Sequence, residues 1–290
     1  MIRAVIDTHK LLGHVSYLCH LTGVSRSGYY AWRKNEPERQ RQNDHDAREA
    51  ERIRELFERY HEKAGALQIK MMLENDYGII MNHKKIRRLM AKFQMVTKIR
   101  RANPYKKLTK ATQEHQTCPN LLNRAFDAQE PGKILLTDIT YLYYGQGQKA
   151  YLSCIKDSAT KEILAHVVST SLAMELAHET LDQLKHQPLH PGAMLHSDQG
   201  THYTHPAFQA KVKQAGLRQS MSRRGNCWDN APMESFFGHF KDMVDPRLCA
   251  TFAQLKQIVH DYIDRYNHRR YQWGLKKMTP VQYRDHLLTA

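Results

Sequence analysis

The sequence predicts an α/β protein in which a mixed five-stranded sheet with helices follows small helical modules. Three observations predict it. Residues 134–169 read as three short strands joined by tight turns, residues 173–221 alternate helix and strand, and the first third is helical and basic.

In chain order, Val15 to Leu21, a break at Thr22-Gly23-Val24, and Ser25 to Trp32 with Ser25 as cap have the dimensions of a helix-turn-helix. The alternative is a plain packed pair with Tyr29, Tyr30 and Trp32 as core aromatics. Either way, residues 1–36 form a first helical module. Pro37 to Asn43 is polar and reads as a linker. Asp44 to His61 places Ile53, Leu56, Phe57 and Tyr60 at helical spacing. Ala66 to Leu73 is a further helix, Tyr77-Gly78 a turn, and Asn82 a cap for His83 to Phe93. That last helix has an apolar stripe of Ile86, Leu89, Met90 and Phe93, with Lys84, Lys85, Arg87, Arg88 and Lys92 on the rest. Residues 44–95 therefore form a second module of helix-turn-helix type. From Lys84 through Lys110 there are eleven Lys or Arg and no acid. Such a block repels itself unless solvated or laid along phosphates, so Lys84, Lys85, Arg87 and Arg88 are candidate DNA contacts.

Residues 96–125, with Asn103-Pro104 and Cys118-Pro119, are expected to be a basic connector with few core positions. The α/β region follows over 126–250. Its strands are Ile134 to Tyr144, Ala150 to Lys156 and Ile163 to Ser169, a meander. Helix Ala173 to Leu184, strand Met194 to Ser197, helix Pro206 to Ala215 and strand Leu217 to Met221 extend the sheet in parallel fashion. Two more helices, Phe252 to Tyr266 and Pro280 to Leu287, fill residues 251–290.

A chain of 290 residues with 41% hydrophobic content supports a real core, and 44 Lys and Arg against 29 acids give a net charge of +15. That sign favours a polyanionic partner without choosing among DNA, RNA and an acidic membrane. No run of 18 apolar residues is present, and the first 15 residues lack the apolar core of a signal peptide, so a cytoplasmic, nucleoid-associated location is expected. Five cysteines with no Cys-x-x-Cys pair argue against a disulfide framework or zinc ribbon.

The chemistry gathers around three acids. Asp138 lies mid-strand in an apolar run, where an unpaired carboxylate is costly and a cation should face it. Asp198 follows the short run Met194 to Ser197 at a sheet edge. Glu234 lies 36 positions further, leaving 35 residues between the two acids, near the start of a helix that Asp229 or Asn230 can cap, with Pro232 in its first turn. Two strands and a helix can bring these acids to one point, and an all-carboxylate site suits a pair of hard divalent cations, Mg²⁺ with Mn²⁺ as substitute. Met233, Phe237, Phe240 and Val244 form the buried stripe of the last helix; Glu234, Gly238 and Lys241 share an adjacent face. Lys241 therefore points as the acid does. Arg223, Arg224 and Asn226 are candidates to hold a phosphate near the helix start, and Trp228 either stacks on a terminal base or packs beneath the helix. His196 is a candidate hydrogen-bond partner for Asp198.

At these residues the sequence resembles the OrfB transposases of bacterial insertion sequences. The phrases are Thr137-Asp138-Ile139-Thr140-Tyr141, His196-Ser197-Asp198-Gln199-Gly200, Gly225-Asn226-Cys227-Trp228-Asp229-Asn230-Ala231-Pro232-Met233-Glu234-Ser235-Phe236-Phe237 and Thr279-Pro280. Residues 134–284 are similar to the ribonuclease-H-like integrase core shared with retroviral integrases. The resemblance implies cleavage of insertion-sequence ends and joining of the freed 3′-hydroxyl to DNA. It also implies Asp138, Asp198 and Glu234 as catalytic metal ligands, and a contact of Lys241 with the DNA end. Its implied partners are double-stranded DNA, further copies of the chain and an upstream OrfA protein or fusion. The chain starts at Met1 without a sustained heptad run, as OrfB alone would. The alternatives are a structure-selective nuclease of the same fold and a catalytically silent DNA-binding regulator.

Overall fold

A computed structural model of the chain describes residues 12–98, 117–126, 130–223 and 227–289, together with Ile6 and Thr8. The chain divides into two compact units, Met1–Ile69 with Met81–Val96, and Lys70–Ile80 with Thr97–Ala290. Among the described residues no helix is long and apolar enough to cross a membrane.

In the first unit, α1 (Val15–Thr22) ends at Gly23, whose φ of +67° supplies the left-handed cap that a Cβ would disfavour. Ser25 then caps α2 (Arg26–Lys34) by accepting from the Gly28 amide at 3.1 Å. Ile6, Val15, Cys19 and Tyr29 make a small core; Tyr30 and Trp32 remain exposed, so only one of the three aromatics is a core residue. The expected linker at 37–43 is instead the first part of a 24-residue helix, α3 (Glu36–Arg59). Pro37 sits in the first turn, where its missing N–H costs nothing, and the polar residues after it are mostly Glu, Arg and Gln, good helix formers. Their polarity was solvent exposure, not absence of structure.

The buried stripe of α3 runs Asp46, Ala50, Ile53, Leu56, Phe57, so its first member is a carboxylate with 0% exposure. The cations come from α5 (His83–Lys92), which Asn82 caps by accepting from the Lys84 amide at 2.9 Å. Arg88 donates to both Asp46 oxygens at 2.8 Å, Lys92 donates to the same group at 2.8 Å, and Lys85 reaches Glu49 at 2.7 Å. The basic face expected to lie free for phosphates is therefore largely spent inside the protein. Only Lys84 and Arg87, of the four candidates, lack an ion-pair partner among the described residues, and both are exposed. The helix before it, α4 (Ala66–Tyr77), continues four residues past the expected Leu73.

The second unit holds the sheet, with strands β1 (Ile134–Tyr144), β2 (Gln148–Asp157), β3 (Ile163–Ser169), β4 (Met194–Ser197) and β5 (Arg218–Met221) in the order β3-β2-β1-β4-β5. The first three pair antiparallel and the last two add in parallel, as the meander and alternation predict. The β1–β2 turn requires Gly145 and Gly147, at φ +52° and +92°.

Side-chain alternation divides β1 between two layers. Leu135 and Ile139 face α6 (Met174–Asp182), the short α7 (Thr201–Thr204) and α8 (Pro206–Gln214). Leu136, Leu142 and Tyr144 face α9 (Ala231–Met243) and α10 (Phe252–Arg269). Thr251 and Gln254 close a capping box on α10, and α11 (Pro280–Thr289) ends the described chain. Residues 117–126 are more than a connector: Leu122 is buried in the core against α9, and the amides of Leu121 and Leu122 donate to Ser220 at 3.0 and 3.3 Å.

Because the Arg88 and Lys92 hydrogen bonds hold the Asp46 carboxyl well below the usual carboxylate range, its contribution is complete above the unfolded value of about 4 and is lost as pH falls. Asp46→Asn should lower the melting temperature by several degrees at pH 7, with the gap to the parent narrowing below about pH 4 in thermal scans.

Candidate active site

β1 pairs in parallel with β4 at Ile134↔Met194, Leu135↔Leu195 and Leu136↔His196. Two residues beyond the last pair on each strand come Asp138 and Asp198. Equal spacing from a parallel register places the two acids side by side, and the period of two puts Asp138 on the α9 side of the sheet with Leu136 and Thr140. The third acid, Glu234, is exposed in the first turn of α9, whose Met233, Phe236, Phe237 and Phe240 are buried against the sheet.

Two lysines pin α9 over these strands. Lys241 donates to Thr140 Oγ1 on β1 at 2.6 Å, and Lys156 on β2 donates to the Pro232 carbonyl at 3.1 Å. Lys156 is buried, with its ammonium 5.9 Å from the Phe236 ring centre, and burial pulls its pKa down to about 7. The sequence carried a signal for it, a lysine continuing the buried alternation of Leu152 and Cys154.

The electrostatics of the acids are unusual for carboxylates. Burial first, then the negative charge of Asp198, pushes the Asp138 carboxyl up; Glu234 adds to this, while the Ile139 amide at 2.8 Å and the charge of Lys241 work against it. Burial also raises Asp198, opposed by the Gly200 amide at 2.8 Å and by His202. The cation expected opposite Asp138 is thus Lys241, yet it does not offset the crowding. Asp138 feels the charges of Asp198 and Glu234 without the three meeting: among the described residues only His45, Asp46 and Glu49 bring ligand atoms within 4.8 Å of one another, and lysines and arginine already neutralise two of those.

The loop before α9 is organised by a residue with a different task from the one expected. Neither Asp229 nor Asn230 caps α9 with its side chain. Asp229 is fully buried and accepts from the Arg223 amide at 3.0 Å, its guanidinium at 2.9 and 3.0 Å, Arg124 at 2.8 Å and Asn120 at 3.0 Å. Those donors hold its carboxyl well below the usual range, Arg223 first. Arg223, a candidate phosphate holder, is therefore committed to Asp229. Arg224 and Asn226 lie outside the described residues, as does the Trp228 side chain.

His196 does not bond Asp198. Its ring is buried between Ser220 at 2.9 Å on Nδ1 and Ser222 at 3.1 Å and the Asp229 carbonyl at 3.0 Å on Nε2. A carbonyl only accepts, so Nε2 carries the proton and Nδ1 accepts from the Ser220 hydroxyl, a neutral ring whose pKa burial keeps low. The histidine ties β4, β5 and the loop together under the acids.

Comparison with known proteins agrees with this architecture. The integrase core domain family matches residues 128–227, a second integrase core family matches 234–288, and an HTH-like domain matches 44–103. Over 240 residues the chain is 35% identical to the putative transposase InsK of insertion sequence IS150 from Escherichia coli K12, covering 81% of this chain and 82% of that one. The chain belongs to the insertion-sequence transposases. The 31 kDa protein of insertion element IS600 from Shigella sonnei is 31% identical over 92% of this chain and 97% of that protein. The transposase of IS904 from Lactococcus lactis is 32% identical over 81% and 92%. The OrfB resemblance and the ribonuclease-H-like core read from the sequence are borne out. This transposase is a DNA-binding enzyme of the polynucleotidyl transferase and endonuclease class.

Burial lowers the Lys156 pKa from about 10.4 in the unfolded chain to about 7, so between those values the unfolded state binds the extra proton and stability rises with pH. Thermal scans from pH 6 to pH 10 should show that rise in the parent and its loss in Lys156→Met.

Proposed function

We propose that Asp138, Asp198 and Glu234 are the catalytic metal ligands of this transposase, holding two divalent ions, Mg²⁺ or Mn²⁺. On this reading the enzyme cuts the element ends and joins the 3′-hydroxyl to target DNA. The observation that carries the reading is that Asp138 on β1, Asp198 just past the end of the neighbouring parallel β4, and Glu234 in the first turn of α9 lie close enough for the charges of Asp198 and Glu234 to act on Asp138. All donors are carboxylate oxygens, a set suited to hard cations, and the acids crowd one another without an adequate counter-charge. When bound, the ions would activate the attacking oxygen and stabilise the leaving one.

The chain's own residues supply the rest. Lys156 and Lys241 fix α9, and with it Glu234, over the strand ends, and Lys241 is the proposed contact for the DNA end. Asp229, Arg223, Arg124 and His196 give the preceding loop a rigid base. Lys84 and Arg87 are the duplex contacts offered by α5. The enzyme works as a homo-oligomer on terminal repeats and target DNA at the nucleoid, together with an upstream OrfA protein or as its fusion.

Asp138→Asn, Asp198→Asn and Glu234→Gln should each abolish cleavage and joining of linear duplexes bearing the element ends in Mg²⁺. The two Asp→Asn changes should raise the metal-free melting temperature by relieving like-charge repulsion. Any one variant that joins strands at near parental rate removes that residue from the site; hydrolysis without joining by the parent makes the chain a nuclease.

Neutralising Lys84 and Arg87 should make the slope of log affinity against log salt shallower by up to about 1.8, the value for two duplex phosphates. Extending the change to Lys85 and Arg88 should cost melting temperature with little further effect on the slope, as salt-dependent binding and thermal scans will show.

A further inference from the structure

None of the matched families reaches residues 12–35, yet these residues form an ordered helix pair. The pair has the proportions of a helix-turn-helix: α1, a three-residue turn at Gly23-Val24-Ser25, and α2. The second helix buries a single residue, Tyr29. One side is fixed to the protein. Tyr29 packs on Ile6, Val15 and Cys19, and Trp32 stacks 6.3 Å from Tyr29. The Arg39 guanidinium of α3 lies 4.2 Å from the Trp32 ring centre and also donates to the Trp32 carbonyl.

The other side is bare. Arg26, Tyr30 and Lys34 recur at spacings of four and eight, one line along the helix, with Ser27 and Ala31 beside them, and all five are exposed. The helix carries Arg26, Arg33 and Lys34 and no acid, and none of the three has an ion-pair partner among the described residues. In this it differs from α5, where Lys85, Arg88 and Lys92 are taken up by Glu49 and Asp46. At 1.5 Å per residue, Arg26 and Lys34 stand about 12 Å apart, close to the width of the DNA major groove.

The geometry points to α2 as a second duplex-DNA-binding helix of this transposase. Arg26 and Lys34 meet phosphates on the two walls of the major groove, and Tyr30 between them meets base edges. Fixed orientation, an unpaired all-basic face and matching width make double-stranded DNA the complementary partner. The assignment rests on the chain's acting on DNA, but its test is a binding measurement that needs no cleavage, so a chain that fails to cut ends can still confirm or overturn it.

The experiment is fluorescence anisotropy of the full chain on an element-end duplex and an unrelated duplex, between about 50 and 200 mM salt. Arg26→Gln with Lys34→Gln should make the salt slope shallower by up to about 1.8 on both duplexes, whereas Arg26→Lys with Lys34→Arg should keep the parental slope. Tyr30→Ala should leave the slope alone and lower the preference for the element-end duplex several-fold. Melting temperatures of both Arg26/Lys34 variants should match the parent, since neither side chain is buried, whereas Tyr30→Ala also removes an edge contact 5.4 Å from the Tyr29 ring and Tyr30→Phe serves as the control that keeps it. A parental slope in the folded Gln variant overturns the assignment. A parental slope with a lower sedimentation coefficient would mean instead that this face joins copies of the chain.

Discussion

The parallel register of β1 and β4 brings Asp138 and Asp198 to neighbouring positions, and the burial of their carboxyls, with the charge of Asp198 acting on Asp138, is the constraint around which this unit is arranged. Like charges at close range in a half-buried setting are unstable without a counter-charge. The fold must therefore hold the strands firmly, and it does so by burying Leu135 and Leu195 on one face and Leu136 and Met194 on the other. Glu234 comes to the same place because α9 buries its phenylalanines on that second face and is tethered at both ends by lysines.

The chain contains two kinds of perturbed aspartate, and they differ in how many donors surround them. Asp46 and Asp229 are wholly covered, and each is saturated by arginine and other donors, so their carboxyls stay ionised far below the ordinary range. Asp138 and Asp198 each receive only one backbone amide, so burial pushes both carboxyls up, with the charge of Asp198 adding to the rise at Asp138. A fold able to neutralise two buried acids so completely leaves the other pair short of positive charge. That pattern supports the proposed role of the pair as metal ligands.

Much of this was legible in the sequence where local pattern decides. Ile134 to Tyr144 and Ile163 to Ser169 have the expected strand limits because they are rich in β-branched or aromatic residues, and Met194 to Ser197 does because a short apolar run stops at the polar Asp198-Gln199-Gly200. Gly23, Ser25 and Asn82 act as the expected helix punctuation. What pattern could not show is which charges face each other. The all-basic run of α5 looked free because its acids, Asp46 and Glu49, lie some forty residues earlier on the helix read from Asp44 to His61, and helical spacing does not tell which face meets α5. Asp229 looked like a helix cap because its arginines come from Arg223 in a loop and Arg124 in a stretch read as spacer. His196 on β4 sits two residues before Asp198, yet its partners come from β5 and the loop.

The claim that Asp138 and Asp198 share an uncompensated field can be read directly by carboxyl-carbon NMR on aspartate-labelled protein, with Asp138→Asn and Asp198→Asn for assignment. A pH titration without metal should show both carboxyls protonating above the ordinary aspartate range while Asp46 and Asp229 stay ionised well below it, and Mg²⁺ should bring the raised pair down. An Asp138 carboxyl that titrates at its ordinary value without metal, or a raised pair that ignores Mg²⁺, would contradict the account.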